Sequence, residues 1–224
     1  MIISFRRKFI FVHIPKTGGT GLALALEARA TKDDILIGDT PKALARRGRI
    51  KTLPAKGRLW KHSTLADIDG LVLPEAMTEM FILTLVRNPW DRVVSLYHWL
   101  QSQSFDHPFV PLSKAQSFSD FLCHPAVSSS LRAASSASYM QDAQGKDRCS
   151  LYLRLEHLAE DITPFEQHLG FHLGPLGRVN TSNRQADWRG YYTRQTATLI
   201  ADCFADDIAR FGYGFDDAVK RGAG

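Results

Sequence analysis

Lys16 stands in the run Ile14-Pro15-Lys16-Thr17-Gly18-Gly19-Thr20-Gly21, directly after the apolar stretch Phe9 to Val12. Glycines let backbone amides turn inward with no Cβ in the way, threonine hydroxyls add donors, and a helix expected over Leu22 to Ala30 aims its positive dipole end at the same spot. The chemistry this combination suits is the binding of an anion, phosphate above all. A nucleoside-triphosphatase loop would need Gly-x-x-x-x-Gly-Lys-Ser/Thr with an acidic strand end to hold Mg²⁺. Here the lysine precedes the glycines.

A second set of chemical groups lies in Arg87-Asn88-Pro89-Trp90-Asp91-Arg92-Val93-Val94-Ser95-Leu96-Tyr97. Arg87 offers a planar fork for an ionised phosphate, whereas Lys16 is a mobile point charge suited to an oxygen that gains negative charge. Ser95 lies eight residues after Arg87, about two helical turns, so the two can converge on one anion beside that helix. His62, in Lys61-His62-Ser63, is a candidate proton acceptor near neutral pH. Glu27, Glu156 and Asp67 are the alternative bases. His13, beside the glycine loop, reads as a packing residue, and His98 falls three residues after Ser95 on the same helix face. No histidine or cysteine has ligand spacing, so no metal requirement is expected.

The elements that must position these groups are two strand-loop-helix units. Phe9 to Ile14 and Phe81 to Val86 are near-continuous apolar runs, as strands buried on both faces of a parallel sheet read. After the second, Asn88 can act as N-cap, Pro89 fits the first helical turn, Asp91 complements the dipole, and Val93, Val94, Tyr97 and Leu100 give an apolar face. Leu151 to Leu155 reads as a further strand, followed by an acidic helix start near Glu156 to Asp161 and a helix end at Gly170. A final helix is expected from Thr193 to Phe211, stopped by Gly212. Gln101 to Lys146 has weak periodicity apart from a short helix at Phe118 to Cys123, and such a long insertion suits substrate contact or a lid.

Size and composition fit one globular domain spanning residues 1–224. With 44% apolar and 23% charged residues, disordered and collagen-like classes drop out. No long apolar window and no leader-like cleavage site are present, so a cytoplasmic protein without a stable membrane anchor is expected. Cys123, Cys149 and Cys203 are widely spaced and read as buried thiols. The net charge of +5 comes from scattered basic residues, apart from Arg6 to Lys8 and the group Arg46, Arg47, Arg49 and Lys51. A small polyanionic ligand explains the excess without nucleic acid.

Pro15-Lys16-Thr17-Gly18-Gly19-Thr20 resembles the 5′-phosphosulfate loop of sulfotransferases that use 3′-phosphoadenosine 5′-phosphosulfate, and Arg87 to Tyr97 resembles their 3′-phosphate motif. Leu153-Arg154-Leu155-Glu156-His157-Leu158 and Asp207-Ile208-Ala209-Arg210-Phe211-Gly212-Tyr213 are similar to later segments of the family that contains the carbohydrate 2-O-sulfotransferases, among them those acting on heparan sulfate. The resemblance implies an α/β fold of the P-loop-containing nucleotide hydrolase-like type, a central parallel sheet flanked by helices. It implies sulfuryl transfer to a hydroxyl, expected on a carbohydrate or another small-molecule acceptor. It also implies roles: Lys16 at the bridging oxygen of the leaving phosphate, Arg87 and Ser95 at the 3′-phosphate, the loop residues Pro15, Lys16, Thr17, Gly18, Gly19, Thr20 and Gly21 around the 5′ side, and His62 as catalytic base. Asn180-Thr181-Ser182 matches a glycosylation acceptor; in the family a comparable loop adds cofactor contacts, which brings in Ser182, and an ordinary polar turn is the other reading. Gly21 replaces a residue that is often serine, and no glutamine stands just ahead of Tyr139, so acceptor identity stays open.

Two rival functions are carried alongside. A P-loop kinase is disfavoured by the lysine-first order and would show magnesium dependence. A non-catalytic nucleotide- or glycan-binding protein of the same fold would bind adenosine 3′,5′-bisphosphate and give no sulfated product.

Overall fold

The computed structural model describes residues 1–174, 176, 184, 185 and 187–217. In chain order, strands β1 (Ile2–Ser4) and β2 (Phe9–Val12) lead to helix α1 (Gly19–Ala28), strand β3 (Ile35–Leu36), and helices α2 (Pro41–Arg46) and α3 (Pro74–Thr78). Strand β4 (Phe81–Val86) feeds α4 (Pro89–Gln101), followed by α5 (Phe109–Ala115), α6 (Phe118–Cys123), α7 (Pro125–Arg132) and α8 (Ser136–Met140). Strand β5 (Leu151–Arg154), α9 (Leu158–Asp161), α10 (Thr163–Leu169), α11 (Arg194–Cys203) and α12 (Ala205–Phe211) complete the elements. Contacts group the chain into two compact units, one of residues 1–86 and 136–176, the other of residues 87–135 and 184–217.

The first unit is built on a five-stranded sheet of order β3-β1-β2-β4-β5. Its β2, β4 and β5 are parallel, with Phe11 beside Leu83 and Leu83 beside Leu151. The β1 and β3 edge runs antiparallel, so the sheet is mixed rather than wholly parallel. The reason is local: β1 and β2 are joined by the short turn Phe5 to Lys8, where Lys8 has φ 50°, and so tight a connection can only return the chain antiparallel.

Alternation along each strand divides the apolar residues between two faces. Phe9, Phe11, Leu83, Leu85 and Leu153 pack with Leu22, Ala23 and Leu26 of α1 and with Phe165 of α10. Ile3, Ile10, Val12 and Ile82 pack with Leu65, Ile68, Val72, Met77 and Met140. Both faces are therefore covered, which is why these strands read as continuous apolar runs.

The second unit is helical. Its α4 begins as the sequence leads one to expect: Asn88 caps it by accepting from the Trp90 amide at 3.1 Å, with Pro89 in the first turn. Trp90 stacks on Trp188, rings 6.2 Å apart and 8° from parallel, with Phe215 edge-on to both. Helices α5 to α7 bury Val110, Phe118, Phe121, Leu122, Val127 and Leu131, so the stretch with weak periodicity is largely short packed helices. The helix expected over Thr193 to Phe211 is two helices, broken at Phe204, whose φ is −122°. Phe204 is buried there, with the Arg92 guanidinium 5.5 Å from its ring centre.

The three cysteines are free thiols, and they are not uniformly buried: Cys203 is, Cys149 is half-buried, and Cys123 is exposed. Cys123 ends α6, whose inward positions are taken by Phe118, Phe121 and Leu122. Among the described residues no helix is long and apolar enough to cross a membrane.

Candidate functional site

The β2-to-α1 junction of the first unit turns through two left-handed residues, Lys16 at φ 65° and Gly18 at φ 86°. Glycine takes that conformation without penalty, but lysine does not, and strain of this kind is kept where a side chain has to be aimed. Thr17 is buried and its hydroxyl donates to the Ile14 carbonyl at 2.9 Å. It therefore fastens the turn instead of supplying an anion donor, and only its backbone remains for that purpose. Gly18 is the N-cap of α1 with no side-chain cap, and the amides of a helix's first turn have no partner within the helix. An anion satisfies such amides, with the helix dipole adding to the attraction.

The absence of side chains at the glycines is a packing requirement. A Cβ on Gly19 would lie 2.5 Å from His13 Cδ2 and 3.2 Å from Phe11 Cζ, and one on Gly18 would lie 2.8 Å from Leu155 Cδ1. His13 continues the Phe9 and Phe11 face of β2, so its ring forms the floor on which Gly19 rests. It is 4% exposed.

His13 also meets His62, the rings edge-to-face at 4.9 Å. His62 Nδ1 donates to the His13 carbonyl at 2.7 Å, because a carbonyl can only accept. The tautomer is thereby set, and Nε2 is left as the basic nitrogen. Burial lowers the His62 pKa to about 4, with the His13 carbonyl opposing the shift and the Lys61 charge adding to it. The ring is neutral at pH 7. Burial likewise holds His13 well below the usual histidine range, with His62 and Lys16 among the charges that reinforce it. The same patch thus contains the glycine loop, the influence of Lys16, and a neutral imidazole of fixed tautomer.

Two of the alternative bases are tied elsewhere. Glu27 is buried and accepts from the Thr40 hydroxyl at 2.6 and 2.7 Å, while Asp67 accepts from the Thr64 amide and hydroxyl. Glu156 lies in the single 3₁₀ turn after β5.

In the second unit, Arg87 donates from Nε and Nη2 to Asp91 Oδ2 at 2.9 and 2.6 Å, and Arg184 Nη2 donates to Asp91 Oδ1 at 2.5 Å. One carboxylate therefore holds two guanidiniums side by side, all three side chains between 12% and 16% exposed. Ser95, one turn beyond Asp91 on α4, is 8% exposed. Asp91 and Ser95 share one face of α4 by their spacing of four, and Arg87, just before the N-cap, is held there by its pair with Asp91. His98 is edge-on to Tyr191 at 5.0 Å, its Nε2 is buried without a hydrogen-bond partner among the described residues, and burial together with the Arg184 charge lowers its pKa. Ser182 lies outside the described residues.

The sequence pointed to Lys16, His62, Arg87 and Ser95, read His13 as a packing residue without its link to His62, and passed over the pairing of Asp91 and Arg184. His13 was legible in principle, since alternation after Phe9 and Phe11 puts it on the α1 face. Asp91, at four residues from Arg87, was assigned only to the dipole. Arg184 carries no local signal. Among the described residues no group of three or more His, Cys, Asp or Glu is placed to hold a metal ion.

No family model matches the chain. No curated protein matches it significantly. Among solved structures it is similar to mouse sulfotransferase SULT7A1 complexed with PAP, with a TM-score of 0.52 and 17% identity, over 91% of this chain and 85% of that one. At that identity the likeness establishes the fold: an α/β chain of the P-loop-containing nucleotide hydrolase-like type, with a central sheet flanked by helices.

Proposed function

We propose that this chain is a sulfotransferase, moving a sulfuryl group from 3′-phosphoadenosine 5′-phosphosulfate to a hydroxyl acceptor, a carbohydrate by the resemblance of its motifs, with residues 1–224 acting as one catalytic domain. The observation that carries the reading is the Lys16 loop, an uncapped helix start beneath a strained lysine with the neutral His62 in the same patch. The fold shared with a PAP-bound sulfotransferase supports it.

The residues fit such a nucleotide on physical grounds. The backbone amides from Thr17 to Thr20 offer donors where a 5′-phosphate needs them, the Gly21 amide donating instead to the Gly18 carbonyl at 3.3 Å, and Gly18 and Gly19 leave no Cβ in the cradle. Pro15 fixes the chain's entry, and the Thr20 hydroxyl adds a donor. Arg87 and Ser95 take the 3′-phosphate, with Arg184 held beside Arg87 by Asp91. When bound, 3′-phosphoadenosine 5′-phosphosulfate supplies the activated sulfuryl group and a phosphate leaving group.

His62 Nε2 takes the proton of the acceptor hydroxyl, and its Nδ1–H, held by the His13 carbonyl, keeps the ring aimed while positive charge develops. The Lys16 ammonium stabilises negative charge on the departing phosphate oxygen, together with the loop amides. A ring aimed by the His13 carbonyl and amides fixed in the loop keep the reorganisation that accompanies charge transfer small.

Incubating the protein with sulfur-labelled 3′-phosphoadenosine 5′-phosphosulfate and a panel of sugars, phenols and lipids tests this. Label should move to a hydroxyl compound, and chelation of magnesium should leave the rate intact. Binding of adenosine 3′,5′-bisphosphate with no labelled product from any acceptor would instead favour the non-catalytic reading.

A further inference from the structure

Trp60 is 44% exposed, an uncommon state for so large an aromatic. Its ring is not loosely placed. Ser63 Oγ, itself fully buried, accepts from the Trp60 amide at 2.9 Å and lies 2.9 Å from the carbonyl oxygens of both Arg58 and Trp60, locking the segment that carries them. Trp60 meets His62 edge-to-face at 5.2 Å, and the Arg58 guanidinium lies 5.5 Å from its ring centre. Arg58, Trp60 and His62 thus form one row that ends on the His62 and His13 pair.

The charge around that row is one-sided. Residues 41–61 contain eight Lys or Arg and no Asp or Glu. Several are engaged: Lys56 pairs with Asp69, Lys61 with Asp39, and Arg46 donates to the Thr31 and Asp34 carbonyls. Arg58 is exposed and makes its cation–π contact with no carboxylate partner among the described residues. A guanidinium stacked on indole keeps its donors directed along the ring plane, where they suit a carboxylate or a sulfate ester.

We infer that Trp60 and Arg58 form the acceptor subsite of the His62 centre and select an acidic acceptor, one whose ring lies against the Trp60 indole while an anionic substituent meets Arg58. The inference rests on the sulfotransferase reading. It adds a selection that the nucleotide site cannot make, because neither residue belongs to the glycine loop or to the Arg87 and Ser95 set. One turn of sequence accounts for both tasks: even-numbered Arg58, Trp60 and His62 face the acceptor, while Leu59 packs into the core and Lys61 pairs with Asp39.

The test uses acceptor pairs that differ at one substituent, with the full chain: 6-deoxyglucose glycosides against glucuronate glycosides, and hydroxybenzamide against hydroxybenzoate, the neutral member of each pair carrying no extra acceptor hydroxyl. The wild-type kcat/KM should favour the acidic member, and Arg58→Gln should reduce that preference roughly tenfold or more, the worth of one charge-assisted hydrogen bond. Trp60→Ala should raise KM for both members, and Trp60→Phe should recover part of the loss. Calorimetry of the acidic acceptor on the protein saturated with adenosine 3′,5′-bisphosphate gives the same comparison without turnover. Sulfate transfer with no acidic preference, or a preference that survives Arg58→Gln, overturns the selection while leaving the nucleotide reading intact. Failure to bind adenosine 3′,5′-bisphosphate at all overturns both.

Discussion

His62 Nδ1 lies 2.7 Å from the main-chain carbonyl oxygen of His13, the residue whose ring supports Gly19 of the anion loop. The proposed base and the proposed cradle are thus referenced to one strand end: a shift of His13 would misplace both. Because the carbonyl accepts only, the hydrogen bond also decides which nitrogen is free to take a proton.

The pH dependence follows from this burial. With its pKa near 4, His62 remains neutral throughout the weakly acidic range, so kcat/KM should hold between about pH 5 and 7 and fall only toward pH 4. An acid limb centred near the ordinary histidine value would contradict the assignment.

Stability should respond in the same window. Between the unfolded histidine value of 6.5 and the folded value of about 4, the unfolded chain binds the proton and the folded chain does not. The contribution of His62 is therefore complete above pH 6.5 and is lost as pH falls toward 4. His62→Gln should flatten part of the slope in melts taken from pH 4 to 8, the rest belonging to His13, His98 and the buried Met1 amino group, whose pKa is lowered from 8.0 to about 5; an unaltered slope would refute the shift.

Lys16→Asn separates strain from chemistry. Asparagine accepts the left-handed conformation that Lys16 adopts, so stability should stay within about 0.5 kcal/mol of wild type. Turnover should fall by roughly two orders of magnitude or more, as when a transition-state donor is lost. Full activity in a folded variant would remove Lys16 from the mechanism.

Gly19→Ala places a methyl within 2.5 Å of His13. Neither the imidazole nor the Phe11 ring beyond it can retreat in a covered sheet, so overpacking should cost about 1 to 3 kcal/mol. Nucleotide affinity should drop with it, whereas alanine at the open Gly145, where nothing stands within 4 Å, should leave affinity alone although its φ of 77° strains the turn. Equal nucleotide affinity for Gly19→Ala and wild type would contradict the cradle.

Asp91→Ala would leave two neighbouring guanidiniums without their shared carboxylate. A loss on the order of 3 kcal/mol is expected in denaturant unfolding, since removing one member of a buried ionic group costs more than the group contributes as a whole. A change below about 0.5 kcal/mol, the scale of an exposed pair, would mean the cluster is solvent-screened.

Much of the site was legible because its parts are local. A glycine loop after an apolar run, an Asn-Pro helix start after a second, and Phe81 to Val86 as a strand all depend on neighbours within a few residues, and β4 has those bounds. What escaped depends on distant partners or on short elements. Apart from α6, expected at Phe118 to Cys123 and found there, the helices of five to eight residues, α5, α7 and α8, are too brief for a period of 3.6 to show. Arg184 joins Arg87 through Asp91, across ninety-three residues of chain from that carboxylate. The antiparallel β1 and β3 edge comprises strands of three and two residues, below the length at which alternation is visible. The break at Phe204 also escaped, since the apolar spacing runs through it without a gap.

The most direct test titrates adenosine 3′,5′-bisphosphate and adenosine 5′-monophosphate by calorimetry into the wild-type chain and into Arg87→Ala. The account predicts that wild type binds the bisphosphate at least tenfold more tightly than the monophosphate, about the contribution of one charged hydrogen-bond pair, and that Arg87→Ala loses most of this preference while still binding the monophosphate. No heat with the bisphosphate at millimolar concentration, or a preference unaffected by Arg87→Ala, would contradict it.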